Sequence, residues 1–318
     1  MAWSNPSPWR RAVSQPLADD AFTWGRARRR WLFLVARSLM RLGGFGAARP
    51  LGTAMGALHY LFGATDRRQC LKDLAPLMGR PPGDAQVEAT LRNAYRVNTI
   101  AVLEVLSMVD RKLDAGRLAR NCRVEGLEHL ENARTGRGAI LLATHSGNSL
   151  LLAAQLATQG LPVTVVYRQA RMMSMQFFAE GLPRYGIDGI LANEGFKAYA
   201  RMVDALRHNR ILFAMVDQGV KQAETGVEMN FLGKRMPMPG GVMQLARQTR
   251  APIVPVVALE SDPAWRFAVQ PALRFQPGGT LEEDMAVVLA DVERQILAHP
   301  ELWSWQQRRW RDFELADA

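Results

Sequence analysis

The sequence predicts an α/β protein: a mostly parallel central sheet flanked by helices, preceded by a helical membrane-associating region. Three observations lead there. From residue 139 onward five short apolar runs alternate with helical patterns, which is the order of a parallel sheet with helices on both faces. Before them lie two apolar helical stretches edged with arginine. The first apolar run then ends at a single histidine, His145, and a Gly-Asn step. That is the strand edge where α/β enzymes keep their chemistry.

Taken in order, Met1 to Asp20 is polar and does not read as a signal peptide, so export is not expected. Between Arg30 and Leu42, Arg30, Arg37 and Arg41 share one side of a helix, while Trp31, Leu32, Leu34, Val35, Leu39 and Leu42 spread over the rest. This suits a helix in the membrane interface, its cations toward lipid head groups. Pro50 to Ala64 is a second apolar segment, short of the ~20 residues that a spanning helix needs. Both are read as monotopic anchors, with a single crossing or a buried helix pair as the alternatives. Residues 86–109 then carry an apolar stripe at three- and four-residue spacing. Glu104 lies inside that stripe, where a carboxylate needs a partner or a raised pKa. An ion pair with a nearby arginine is the first expectation for it.

Strands are predicted at Ala139–Thr144, Pro162–Tyr167, Ile187–Leu191, Ile211–Asp217, Pro252–Leu259 and Trp265–Phe275. Helices are predicted at Ser149–Thr158, Met172–Tyr185, Glu194–His208, Gly241–Arg250 and Thr280–Ala298. No internal repeat or low-complexity tract interrupts them. The simplest division is a helical membrane-anchoring region over 1–115 and an α/β region over 116–318, or one continuous domain.

Composition narrows the partners. The 318 residues are 48% hydrophobic, enough for a substantial core, and 40 basic against 30 acidic side chains leave a formal charge of +10. Such a surface favours anionic partners, an anionic membrane surface among them. Thirty-five of the basic residues are arginine, a skew that codon bias alone also produces. Two distant cysteines, Cys70 and Cys122, imply neither a disulfide framework nor a metal clip, and fit a reducing, cytoplasm-facing setting.

His145 carries the chemistry. An imidazole at a strand end can take a proton from a hydroxyl, so it is read as a general base. Ser149 lacks the second glycine of a nucleophile elbow, dinucleotide and phosphate-loop signatures are missing, and no nucleic-acid module is present. A nucleic-acid partner is therefore not expected.

Several blocks together resemble the bacterial late acyltransferases of lipid A biosynthesis, within the wider lysophospholipid acyltransferase group. They are His145-x-Gly147-Asn148, Val166-Tyr167-Arg168, Met215-Val216-Asp217-Gln218, Phe231-Leu232-Gly233, Ala246 to Val256, and Pro300 to Trp310. The resemblance implies an enzyme at the cytoplasmic face of a bacterial inner membrane, peripheral or single-pass, with no resident cofactor or metal. It would move a fatty acyl chain from an acyl carrier protein or coenzyme A thioester to a hydroxyl of a glycolipid, His145 deprotonating that hydroxyl. Leu150, Ser146 and Ser149 make the block unlike that of the usual members, which leaves another hydroxylated lipid or an acyl-linked pigment or polyene intermediate as alternative acceptors.

One departure stands out. The family motif has a carboxylate at the position of Leu150, to orient the histidine. Asp217, at the end of a later strand, is the best substitute, with a plain turn or cap role as its alternative. Glu104 is the second-choice acid. Arg168 has a planar fork suited to a phosphate, and Gln218 joins it as a substrate-binding candidate. Gly147 and Asn148 are candidates for holding the thioester oxygen, although Asn148 would serve equally as a helix cap. Arg308-Arg309-Trp310-Arg311 is a candidate for lipid head groups or an acidic carrier protein. A non-catalytic lipid-binding relative of the same fold is the rival reading, because the motif acid is gone.

Overall fold

The structure, a computed structural model, describes residues 24–168, 176–220, 226–261 and 265–306. The Arg308–Arg311 cluster and the first part of the expected 172–185 helix lie outside them. Helices α1 (Trp24–Gly43), α2 (Ala48–Phe62), α3 (Ala64–Leu77) and α4 (Ala85–Asp110) come first, then α5 (Ala115–Asn121). The α/β part follows as β1 (Cys122–Glu125), α6 (Leu127–Ala133), β2 (Ala139–Ala143), α7 (Ser149–Thr158), β3 (Val163–Tyr167), α8 (Gln176–Gly181), β4 (Asp188–Leu191), α9 (Phe196–Arg207) and β5 (Ile211–Met215). It ends with β6 (Val227–Phe231), β7 (Lys234–Met238), α10 (Gly241–Thr249), β8 (Ile253–Glu260), β9 (Trp265–Val269) and α11 (Leu281–Ala298).

Seven strands form one sheet in the order β1-β9-β8-β2-β5-β3-β4, with only the β8–β9 pair antiparallel. Central strand β2 is buried along its whole length because helices cover both faces, which is why it reads as unbroken Ala-Ile-Leu-Leu-Ala rather than as an alternation. The period of two survives in what each side chain meets. Ile140 and Leu142 join one core with Leu212 and Ala214, while Ala139, Leu141 and Ala143 join another with Ile211 and Phe213.

Helix α4 ties the N-terminal helices to this sheet. Asp84 caps it by accepting from the N–H groups of Gln86 and Val87, and Arg184 closes its far end on the Val109 and Asp110 carbonyls at 2.8 and 2.7 Å. Its side chains contribute to both sheet cores and to a third cluster with Ala36, Met40 and Ala48. Helix α2 lies close along it because Gly52 and Gly56 present no side chain. A Cβ on Gly52 would stand 2.7 Å from the Ile100 Cα, and one on Gly56 2.7 Å from the Arg96 Cα.

Two of the N-terminal arginines expected to face lipid head groups have an acid partner within the fold. Arg37 and Arg41 both bind Asp110 at the end of α4, at 2.7 and 3.1 Å. Burial would raise the Asp110 carboxyl, but these two guanidinium groups hold it below the usual range. Among the described side chains these helices expose several large apolar groups: Trp31 at 63%, Leu42 at 86% and Phe62 at 82%, with Leu58 and Leu61 beside them in sequence. Among the described residues no helix is long and apolar enough to cross a membrane.

Two other expectations shift. The 265–275 strand stops at Val269, since Pro271 has no N–H to continue the ladder, leaving two further bonds, from Gln270 to the Pro255 carbonyl and from Leu273 to the Ile253 carbonyl. A hairpin, β6–β7, stands where only the Phe-Leu-Gly block had been noted. Leu232 and Gly233 both take positive φ, 48° and 72°, as a two-residue hairpin turn requires. Lys234, fully buried, then reaches Asp73 on α3 at 3.3 Å.

Candidate active site

Strand register brings the candidate residues together. Ala143 on β2 pairs with Met215 on β5, so the residues two further along, His145 and Asp217, leave the sheet side by side at its carboxyl edge. His145 Nδ1 lies 2.7 Å from Asp217 Oδ1, and the His145 main-chain N–H donates to Asp217 Oδ2 at 2.6 Å. Asp217 therefore pairs with His145 instead of merely capping a turn. Its carboxylate is completely buried, whereas the imidazole is 35% exposed with Nε2 as the nitrogen not turned to the acid. Burial alone would push the Asp217 carboxyl up. The His145 ring and the hydrogen bonds it receives outweigh that and hold it below the usual carboxylate range. The acid stays charged, able to keep the ring in the Nδ1–H tautomer with Nε2 as the proton acceptor.

A third donor to Asp217 was not foreseen. Trp303 Nε1–H meets Oδ2 at 2.7 Å from a segment that pairs with Ser146 by a β-bridge. Its only sequence signal was membership of the Pro300–Trp310 block.

The turn after His145 is braced from beneath. Gly147 has φ +61°, and any Cβ there would stand 2.5 Å from the Trp265 ring, so conformation and space both demand glycine. Asn148 caps α7 by accepting the Leu151 N–H at 3.2 Å, and its amide donates to Glu104 at 3.0 Å. Both ends of this buried side chain are engaged within the fold, which is the cap reading. Glu104 is not placed against His145. Its Oε2 takes N–H groups from Asn148 and, at 2.7 Å, from Trp265. The expected arginine partner is likewise not its ligand, since Arg49 and Arg96 bind Glu260 instead. Burial pushes the Glu104 carboxyl up against the two hydrogen bonds.

Leu150, at the position of the missing motif acid, packs among apolar side chains of two cores. Ser149 is buried and its hydroxyl donates to the Thr144 carbonyl at 3.2 Å, consistent with its rejection as a nucleophile. Arg168 is exposed at the end of β3, which flanks β5 on the side away from β2, so it stands on the same sheet edge as the pair. Gln218 is half-buried next to Asp217. No group of three or more metal-binding side chains occurs among the described residues.

Comparison with known proteins shows the family. The sequence profile of the bacterial lipid A biosynthesis acyltransferases matches residues 20–312. A phosphatidylinositol mannoside acyltransferase of Mycobacterium tuberculosis (strain CDC 1551 / Oshkosh) is 31% identical over 249 residues, 76% of each chain. The enzyme of the same name from Mycolicibacterium smegmatis (strain ATCC 700084 / mc(2)155) is 27% identical over 256 residues, 76% of this chain and 79% of its own. The chain is an acyltransferase and belongs to the bacterial lipid A biosynthesis acyltransferase family.

Proposed function

We propose that this lipid acyltransferase moves a fatty acyl group from an acyl carrier protein or coenzyme A thioester to a hydroxyl of a membrane glycolipid, with His145 as general base and Asp217 as its acid. The observation that carries this reading is the 2.7 Å contact between a partly exposed imidazole and a buried, charged carboxylate. As the acceptor oxygen attacks the thioester carbonyl carbon, Nε2 takes its proton, and the imidazolium that forms is stabilised by Asp217. Collapse of the tetrahedral intermediate breaks the C–S bond, and the departing thiolate recovers the proton from His145. The main-chain N–H of Gly147 is the candidate donor to the carbonyl oxygen as it gains charge.

A narrow apolar crevice beside Val216, lined by Met238, Met243, Met285, Val288 and Leu289, has room for about one water molecule and would take the acyl chain only by widening. Methionine walls suit a flexible chain because they adapt their shape. The two mycobacterial relatives are named for a mannosylated phosphoinositide, which supports an acceptor bearing both sugar hydroxyls and a phosphate. Arg168 is the residue assigned to that phosphate, with Gln218 beside the acid as a polar contact. The exposed Trp31, Leu42 and Phe62 support seating on a membrane surface by α1 and α2.

The test supplies purified protein with acyl carrier protein or coenzyme A thioesters and candidate glycolipids. His145→Ala is expected to lose about 10²- to 10⁴-fold in turnover, and Asp217→Asn about a thousandfold or more, both with wild-type folding. Near-normal turnover in Asp217→Asn would remove the acid from the scheme. Lipid bound by the wild type with no transfer to any acceptor would favour a non-catalytic lipid carrier.

A further inference from the structure

We propose that Trp303 is a positioning residue of the reaction: its indole N–H fixes the Asp217 carboxylate, so the segment Leu302–Trp305 is part of the working site. This rests on His145 being the base.

Among the described residues Asp217 receives three hydrogen bonds, and two of them come from His145 itself, through Nδ1 and the main-chain N–H. A carboxylate held only by the residue it must orient would turn with that residue. Trp303 supplies the one donor of the three that is independent of the base, at 2.7 Å on Oδ2. The groups facing the carboxylate are thus His145, from the turn after β2, and the indole, from the segment after α11.

The indole is itself tightly held. Asn98 on α4 donates to the Trp303 carbonyl at 3.0 Å, and Ser146, next to the base, bridges to its backbone. The ring meets Trp305 edge-on at 4.7 Å and Phe231 at 6.5 Å. Trp305 in turn donates to the Pro300 carbonyl at 2.6 Å and receives the Cys70 thiol at 3.4 Å. If apolar packing were all that mattered, the position would not call for a buried N–H that needs an acceptor. The donor is spent on the acid.

The chemical consequence is specific. With one donor fewer, the negative charge on Asp217 is less dispersed, the acid becomes more basic, and the proton shared with the ring is released less readily. The pair would then reach its active ionisation at a higher pH.

Trp303→Phe keeps an aromatic ring and removes the donor. The expected result is a fall in kcat of about ten- to hundredfold, the range seen when an orienting partner is lost. KM values for donor and acceptor should stay within about twofold. The acid limb of the kcat/KM profile should move to higher pH, and the low-field proton resonance of the His145 Nδ1–H should shift. Replacement of Trp303 by benzothienylalanine, with sulfur in place of the N–H, repeats the experiment with shape retained and decides it should the phenylalanine variant fold poorly. A folded variant whose kcat, pH profile and ring-proton resonance match wild type would overturn the proposal. His145→Ala is run alongside. If it transfers as well as wild type, the base assignment fails and takes this inference with it; if it is inactive while the Trp303 variants behave as wild type, the inference alone fails.

Discussion

At the scale of single residues, two buried carboxylates flank the His145 turn and respond oppositely to pH. Asp217 is held below the ordinary range, so its stabilising contribution is present above about pH 3.9 and is lost as pH falls through its folded value. Glu104 is raised, so its contribution is fully present below about pH 4.3 and is lost as pH climbs through its folded value. Glu104→Gln keeps an acceptor for Asn148 and Trp265 but cannot titrate. Denaturant midpoints measured across pH should therefore show the wild type losing ground to Glu104→Gln above about pH 4.3. Parallel curves would mean that Glu104 titrates normally. Of these two acids the sequence placed one well. Asp217 was legible because it follows an apolar run read as a strand and needed only β5 to lie beside β2. Glu104 was visible as a misfit in an apolar stripe, but its ligands lie 44 and 161 positions away, beyond any local pattern.

At the scale of elements, the α2–α4 contact offers the sharpest test. Gly52→Ala should gain about 1 kcal/mol of helix propensity. The new methyl would stand 2.6 Å from Ile100 Cγ1 and 2.7 Å from its Cα, however, and overpacking of this kind costs about 1–3 kcal/mol. A lowered Tm is expected for Gly52→Ala; an unchanged or higher one would show that the two helices part easily. The helix itself was readable from its apolar run, whereas the seam was not, since nothing local distinguishes a packed glycine from a tolerated one. Hairpin β6–β7 escaped for a related reason. Its alternating Val-Glu-Met-Asn-Phe pattern is short, and what secures it, Lys234 on Asp73 of α3, joins residues 161 positions apart.

At the scale of the whole molecule, the net charge of +10 and the exposed side chains of α1 and α2 bear on the same surface question. Replacing both Leu42 and Phe62 by serine removes two large apolar groups, each worth about 1.5–3 kcal/mol when fully buried. Co-sedimentation with anionic vesicles should fall at least about tenfold while thioester turnover on a detergent-dispersed acceptor is kept. Undiminished sedimentation would assign attachment to charge alone, and added salt would then release the protein. The mostly parallel sheet followed from the alternation of runs, but its strand order did not, nor did the fate of Arg37 and Arg41, because Asp110 lies 73 and 69 positions further on. One feature reaches beyond the finished fold. Translation proceeds from the amino terminus, and Trp303 follows every strand of the sheet. The indole that steadies Asp217 is consequently the last of the dyad's partners to emerge from the ribosome, and a nascent chain carries base and acid long before it carries the brace between them.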